Sequence, residues 1–452
     1  MFSSIIRVLS ILLLFLVLGN MATVEAANDE IVAKRQCATE PDLVKYLEIA
    51  ALNNPELEAA FNRWKAALEK APQVSALPDP RFTFAYFIRE VETRVGPQSY
   101  RVGLMQAFPW LGKRGLMEEQ ALSEARVAEA QFNALRWRIR AQVKEAYLEY
   151  AYLAEAIRIA GDSVELMEYL SQVAVDRFAV GDAQYVDVVE VNLRLGILLD
   201  RHRTLQDLRR PAAARLNAVM NRPLDATLPF PDNVPLVHLE STPNELRALL
   251  LHASPELDSL EHMADAAQKA QDVARKEYYP EITLGLETIQ TREARGPVIP
   301  PDSGKDAIVA SISLNIPIWR ERRDAAVREA GLTRIAALRE HVSQANMLGA
   351  ELEMLHYEYR DAARRRELYQ DTLIPQARQA LEVTLEAFGT GNRNAADLVT
   401  AENTLLEFEL AHVRAQTDQA VRVARMENLL ASEISCVDIE TDEELLSWST
   451  LP

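Results

Sequence analysis

The sequence predicts a mainly α-helical chain built from two tandem copies of one unit, each copy carrying a β-hairpin whose strands are long enough to cross a bilayer. Three observations predict it. The chain aligns with itself at a shift of 200 to 210 residues. Its hydrophobic periodicity switches from 3.6 to 2 at matching places in the two copies. The segment after each hairpin is long, rich in Ala, Glu, Arg and Leu, and almost free of glycine.

The self-alignment runs in order along the chain. Asn54-Pro55-Glu56-Leu57 returns as Ser254-Pro255-Glu256-Leu257, and Pro80 as Pro280. Phe108-Pro109 returns as Ile316-Pro317 and Arg114 as Arg322. Phe178, Gly181, Asp187, Val188 and His202 return as Phe388, Gly391, Asp397, Leu398 and His412. The spacing predicts a first unit over 27–240, with a hairpin at 80–108 and a helical hairpin turning near residue 181. It predicts a second unit over 241–436, with a hairpin at 280–317 and a turn near 391, and then an acidic tail over 437–452.

Each copy opens with helix-start chemistry, Asn54 or Ser254 as the cap and proline at the first helical position. That helix is expected to run to Pro80 or Pro280. Alternation follows. Phe82, Phe84, Tyr86 and Ile88 alternate with Arg81, Thr83, Ala85 and Arg89, and Val102, Leu104 and Phe108 continue the pattern after a Gly96-Pro97 turn. In the second copy Ile282, Leu284 and Leu286 alternate with Glu281, Thr283, Gly285 and Glu287, while Ile308, Ile312, Leu314 and Ile316 alternate with Ser311, Ser313 and Asn315.

The long segments 113–178 and 320–388 would each reach roughly 100 Å as helices. In the first, Leu135, Ile139, Ala146, Tyr150, Leu153, Ile157 and Val164 form one packing stripe. Pro375 is placed to kink the second. Returning helices are expected to about Asn221 and Leu430.

Ahead of the first copy, Arg7, the apolar stretch between Val8 and Leu18, and small residues up to Ala27 read as a signal peptide, residues 1–26, with cleavage after Ala26. No later stretch has 18 consecutive apolar residues, so any membrane insertion falls to the strands. The net charge of −18 argues against nucleic acid as a partner. Two cysteines in an exported chain, Cys37 and Cys436, read as a disulfide. The basic residues before Cys37 do not suit a lipidated cysteine.

An open four-stranded sheet in lipid leaves two edges of unpaired backbone groups, so the strands demand partner subunits. Two, three or four copies would supply eight, twelve or sixteen strands, and composition does not choose among them. In each case Arg81, Thr83, Arg89, Glu281, Glu287, Ser311 and Ser313 face water.

This grammar resembles the TolC-like outer-membrane efflux proteins over essentially the whole mature chain. Leu77-Pro78-Asp79-Pro80, the loop 91–98 and Gln106-Ala107-Phe108-Pro109-Trp110-Leu111-Gly112-Lys113 resemble members serving heavy-metal pumps of the RND type. The resemblance implies a homotrimer in the outer membrane, with a 12-stranded transmembrane β-barrel continued by a periplasmic α-helical barrel. It implies a periplasmic adaptor (membrane fusion protein) and an inner-membrane pump as partners, and neither catalysis nor a cofactor. By the same resemblance Asp187, Phe388, Arg393 and Asp397 belong to a periplasmic gate, and Gly181 and Gly391 to the adaptor-docking turns. Thr400 stands where relatives of this fold can carry a second acidic residue. It also places both termini outside the helical barrel, where a Cys37–Cys436 bridge would tie them together.

The residues themselves show no phosphate loop, no metal-ligand spacing and no nucleophile arrangement. His202 and His412 are repeat partners without a second ligand at helical spacing, which fits solvated helix faces better than a metal relay. Trp110 and Trp319 sit at the strand exits, where an interfacial girdle or ordinary junction packing would each place them. A soluble periplasmic coiled-coil protein and a type I protein-secretion duct remain as alternatives.

Overall fold

The computed structural model describes residues 41–239, 241–295 and 298–437; residues 1–26, read above as a signal peptide, Cys37 and the acidic tail after Val437 lie outside them. The chain is mostly helical with a few strands, in the order α1 (Pro41–Asn53), α2 (Pro55–Leu68), α3 (Lys70–Ser75), β1 (Arg81–Val91), β2 (Gln98–Phe108), α4 (Lys113–Ala179), α5 (Tyr185–Asp207), α6 (Arg209–Val219), β3 (Val237–Leu239), α7 (Pro243–Ala253), α8 (Pro255–Lys276), β4 (Ile282–Thr291), β5 (Ala307–Leu314), α9 (Arg320–Leu368), a π turn (Tyr369–Leu373), α10 (Ile374–Gly389), α11 (Ala395–Leu430) and β6 (Ser435–Val437). The elements form two compact units. Of the described residues, one gathers 41–54, 138–247 and 351–437, the other 55–137 and 248–350.

Prolines set the helix breaks by a single rule. A proline has no amide proton for the carbonyl four residues back. Pro72 leaves Leu68 without a donor and α2 stops there; Pro211 does the same to Asp207, where α5 stops. Pro375 does it to Asp371, and the helix accommodates this with a π turn instead of breaking. The helices before the hairpins end at Ser75 and Lys276, short of the expected Pro80 and Pro280, and Pro280 is the residue that leaves Lys276 without a donor.

Helices α2 and α8 open on Pro55 and Pro255, with Ser254 extended at the cap position, but a helix also precedes each of them. Helices α1 and α7 already run up to the supposed caps, whose amides bond back within them, Asn54 N to Ala50 O at 3.0 Å and Ser254 N to Leu250 O at 3.3 Å. The Ser254 side chain makes no cap bond, and Asn54 Nδ2 donates to Val219 O at 3.0 Å.

In the unit holding 138–247 and 351–437, helices α4, α5, α10 and α11 share one core that includes Met167, Leu170, Val188, Leu398 and Leu406. Every member of the sequence-predicted stripe on α4 is buried except Ile157, which is half-buried. Charged residues cross-link these helices. Arg194 pairs with Glu402 at 3.1 Å, and Arg414 holds Glu149 at 2.8 Å and Asp418 at 2.7 Å. Strand β6 closes a two-stranded sheet with β3, with His238 opposite Cys436 in register.

The other unit holds a four-stranded antiparallel sheet in the order β1-β2-β4-β5. The two hairpins join through β2 and β4, and β1 and β5 are left as edges. Strand β5 ends at Leu314, before the expected Ile316, since Pro317 cannot donate to a ladder.

Candidate functional site: a two-faced sheet and a paired helical tip

Register fixes the two faces of the sheet. Phe82 opposes Leu104, Phe84 opposes Val102, Leu104 opposes Leu286, Phe108 opposes Ile282, and Leu284 opposes Ile312. That face is apolar apart from a few positions such as Gln106, and Phe82, Phe84, Tyr86, Leu104, Leu286, Ile308, Ile312 and Leu314 are all exposed on it. The opposite face carries Thr83, Arg101, Glu287, Ser311 and Ser313, interleaved with small and apolar residues. On it Arg101 lies 3.7 Å from Glu287. Such a sheet puts its apolar side where a soluble protein would put its polar one.

At the loop end the two hairpins are clasped together. Glu90 holds Arg292 at 2.5 Å and Arg295 at 2.9 Å, Arg94 grips both oxygens of Asp302, and Gly304 N donates to Val95 O at 2.9 Å. The Arg94 guanidinium holds the Asp302 carboxyl below the usual carboxylate range. Gly96 is required here: its φ is +134° and a Cβ would lie 1.7 Å from Arg292 O.

In the other unit, both long helical hairpins turn the same way. Gly181 and Gly391 sit at φ +82° and +79°. Asp182 N donates to Arg177 O and Gly181 N to Phe178 O; Asn392 N to Ala387 O and Gly391 N to Phe388 O. These are two Schellman turns, which need a left-handed residue at the glycine. Each is followed by an N-cap, Gln184 in a capping box with Asp187, and Asn394, whose side chain accepts from Asp397 N at 2.9 Å.

Beyond that shared backbone the tips diverge. Phe388 is 1% exposed, whereas its repeat partner Phe178 is 45% exposed and leans on Tyr185. Asp187 is bound twice, accepting from Gln184 N at 3.0 Å and from Ala395 N at 3.1 Å. Its partner Asp397 is open to solvent and pairs with Arg393 on its own helix at 3.1 Å. The first tip therefore anchors the second, and the second displays the exposed charges. A residue the sequence reading missed completes the anchor. Arg177 lies over the Phe388 ring at 4.9 Å and donates to Phe388 O and Asp182 O. Its signal was available, because a cation in the last turn before a glycine stop commonly serves the terminal carbonyls.

The remaining tempting residues are structural. His202 Nε2 lies 3.2 Å from Gln206, and His412 carries a buried Nε2 without a hydrogen-bond partner. Burial, helped by Arg366, pushes the His412 pKa down. Among the described residues no group of His, Cys, Asp and Glu could hold a metal ion, and no helix is long and apolar enough to cross a membrane. Trp110 stacks on Tyr279 at 4.9 Å, and Trp319 stands exposed. The backbone of Cys436 lies in β6, and its expected partner Cys37 is outside the described residues.

Residues 246–432 match the family model described as "Outer membrane efflux protein". The match falls within the second of the two sequence copies, 241–436. The cobalt-zinc-cadmium resistance protein CzcC of Cupriavidus metallidurans is 23% identical over 396 residues, covering 85% of this chain and 89% of CzcC. The fold matches VceC, an outer membrane protein of Vibrio cholerae, with a TM-score of 0.71 at 20% identity, over 87% of this chain and 97% of VceC. It matches the MtrE outer membrane channel of Neisseria gonorrhoeae, also at 0.71 and 20%, over 87% of this chain and 90% of MtrE.

Proposed function

We propose that the chain is the outer-membrane channel subunit of a tripartite efflux system and acts as a homotrimer, with twelve strands closing one water-filled barrel and the helices continuing it as a periplasmic duct. The observation that carries this is the sheet. It is apolar and exposed on one face, polar on the other, and open at both edges, β1 and β5. In lipid each unpaired edge group costs several kcal/mol, which pairing β5 of one copy with β1 of the next removes. A soluble coiled-coil protein has no use for the exposed apolar face.

The cargo we assign is metal cations, driven by an RND-type pump through an adaptor. The likeness to CzcC and the loop and strand-exit residues at 91–98 and 106–113 support it. The Gly181 and Gly391 turns are, in this reading, the adaptor's docking points at the periplasmic end, and their matching Schellman geometry supports it. Three copies of the exposed Asp397 then form an acidic ring, and Arg393 exchanges its own-helix partner for a neighbouring hairpin when the pore is shut. Asp187 and Phe388 set the position of that tip through the contacts described above.

Cysteine labelling tests the channel. Thr83→Cys, Gly285→Cys and Ser313→Cys in intact trimers should react with a water-soluble thiol reagent, and Phe84→Cys, Leu284→Cys and Ile312→Cys should not. Equal reaction of both sets sinks the membrane assignment. The gate is tested by single-channel conductance. Arg393→Ser and Asp397→Ala should each raise it, while Glu118→Ala on an exposed face of α4 should not.

A further inference from the structure

The two strand exits start alike in sequence and end differently in structure. At the first exit Leu111 is exposed, but the aromatic and basic side chains are engaged: Trp110 stacks on Tyr279, Lys113 pairs with Glu281 at 3.0 Å and Glu277 at 3.5 Å, and Arg114 Nε donates to Ser75 O at 2.7 Å. At the second exit Ile316, Ile318 and Trp319 are 77%, 65% and 74% exposed. Arg323 is committed to Glu277 O at 2.6 Å and Trp319 O at 2.9 Å. Arg320 and Arg322, both exposed, have no ion pair or side-chain hydrogen bond among the described residues.

We infer that residues 316–322 form a docking surface for anionic phospholipid headgroups of the inner leaflet of the outer membrane. The inference rests on the membrane reading of the sheet and adds to it a ligand class and a place. Three features point to that occupant. Ile316 and Ile318 stand exposed just beyond the end of β5, next in the chain to its exposed Ile312 and Leu314. The order along the chain, isoleucines, then tryptophan, then arginines, is the order of depth in a leaflet, from hydrocarbon through the interface to the phosphates. Arg320, Arg322 and Arg323 also crowd the first turn of α9, where Glu321 is the one acidic residue. That is the end of a helix where its dipole opposes cations, and an outside anion offsets the arrangement. Protein acids at the first exit neutralise Lys113 and a backbone carbonyl holds Arg114, whereas Arg320 and Arg322 at the second exit have neither kind of partner among the described residues.

The test uses full-length trimers in vesicles of phosphatidylcholine mixed with phosphatidylglycerol, one or the other lipid carrying brominated chains that quench tryptophan. The Trp319 signal is the fluorescence lost in Trp319→Phe. Phosphatidylglycerol should be preferred at Trp319 by roughly fivefold per free arginine, and the preference should shrink in high salt. Arg320→Gln with Arg322→Gln should abolish the preference yet keep quenching by phosphatidylcholine. Equal quenching by both lipids in the unaltered protein overturns the proposal, as does a preference that survives the double substitution. Absence of quenching by either lipid in trimers that conduct means a neighbouring subunit covers the segment, and also overturns it. Trimers that neither insert nor conduct would refute the channel reading itself, and this proposal with it.

Discussion

Replacing Asp187 by alanine should loosen the helical tip far more than the same change at its repeat partner Asp397. The Asp187 carboxylate serves two amides, Gln184 N at the start of its own helix and Ala395 N at the start of α11. Losing a helix cap costs about 0.5–2 kcal/mol. Ala395 is fully buried, so water cannot readily replace the second bond, and an orphaned buried amide costs about 1–3 kcal/mol. A combined loss of about 2–3 kcal/mol corresponds to roughly 30- to 150-fold faster local opening. Asp397, by contrast, holds one exposed pair with Arg393 on the same helix, worth about 0.3–0.5 kcal/mol, and its own amide stays capped by Asn394. Its removal should change opening by less than about threefold. Hydrogen exchange on purified protein, followed in peptides covering 183–190 and 392–400, reads both. Asp187→Asn keeps one accepting oxygen and should fall between. If Asp187→Ala and Asp397→Ala exchange alike at the tip, the anchoring role is refuted.

Three further outcomes are expected. Arg194→Leu strands Glu402, whose side chain is 1% exposed, and should destabilise the helical unit by about 3–5 kcal/mol, while adding Glu402→Leu should recover most of it in thermal unfolding. The Asp302 carboxyl is held below its ordinary value by Arg94, so the clasp between the loops contributes fully above the unfolded pKa of about 4 and is lost as pH falls through the lower folded value. Exchange in the loop around residue 94 should therefore rise in strong acid, and Arg94→Gln should show the raised exchange already at neutral pH. Cys37 and Cys436 should be bridged: thiol titration of the denatured, unreduced protein should find none free, and two free thiols would end that idea.

Much of the architecture was legible because it is written in local rules. Alternation set the two faces of the sheet, since side chains on a strand point to opposite sides whatever the strand packs against. Gly181 and Gly391 marked both tips because a Schellman turn needs a left-handed residue that glycine supplies without strain. The stripe on α4 was legible from spacing alone. Proline positions were legible too, but not their outcome: the same missing amide ends α2 and α5 and yields a π turn before α10.

What the sequence by itself determined is the kind of each element and the chemistry of each face. Only the tertiary structure decided which of two equivalent residues does the work. Phe178 and Phe388, Asp187 and Asp397, Trp110 and Trp319 are indistinguishable by position in the repeat, yet one of each pair is held and the other exposed. The physical reason is that periodicity and turn sterics act over a few neighbouring residues. Burial and pairing depend on partners about 200 residues away, such as Ala395 for Asp187, Phe388 for Arg177 and Tyr279 for Trp110. A near-repeat in sequence leaves those partners unequal, and that inequality separates an anchoring tip from a charged one, and a filled strand exit from one left open.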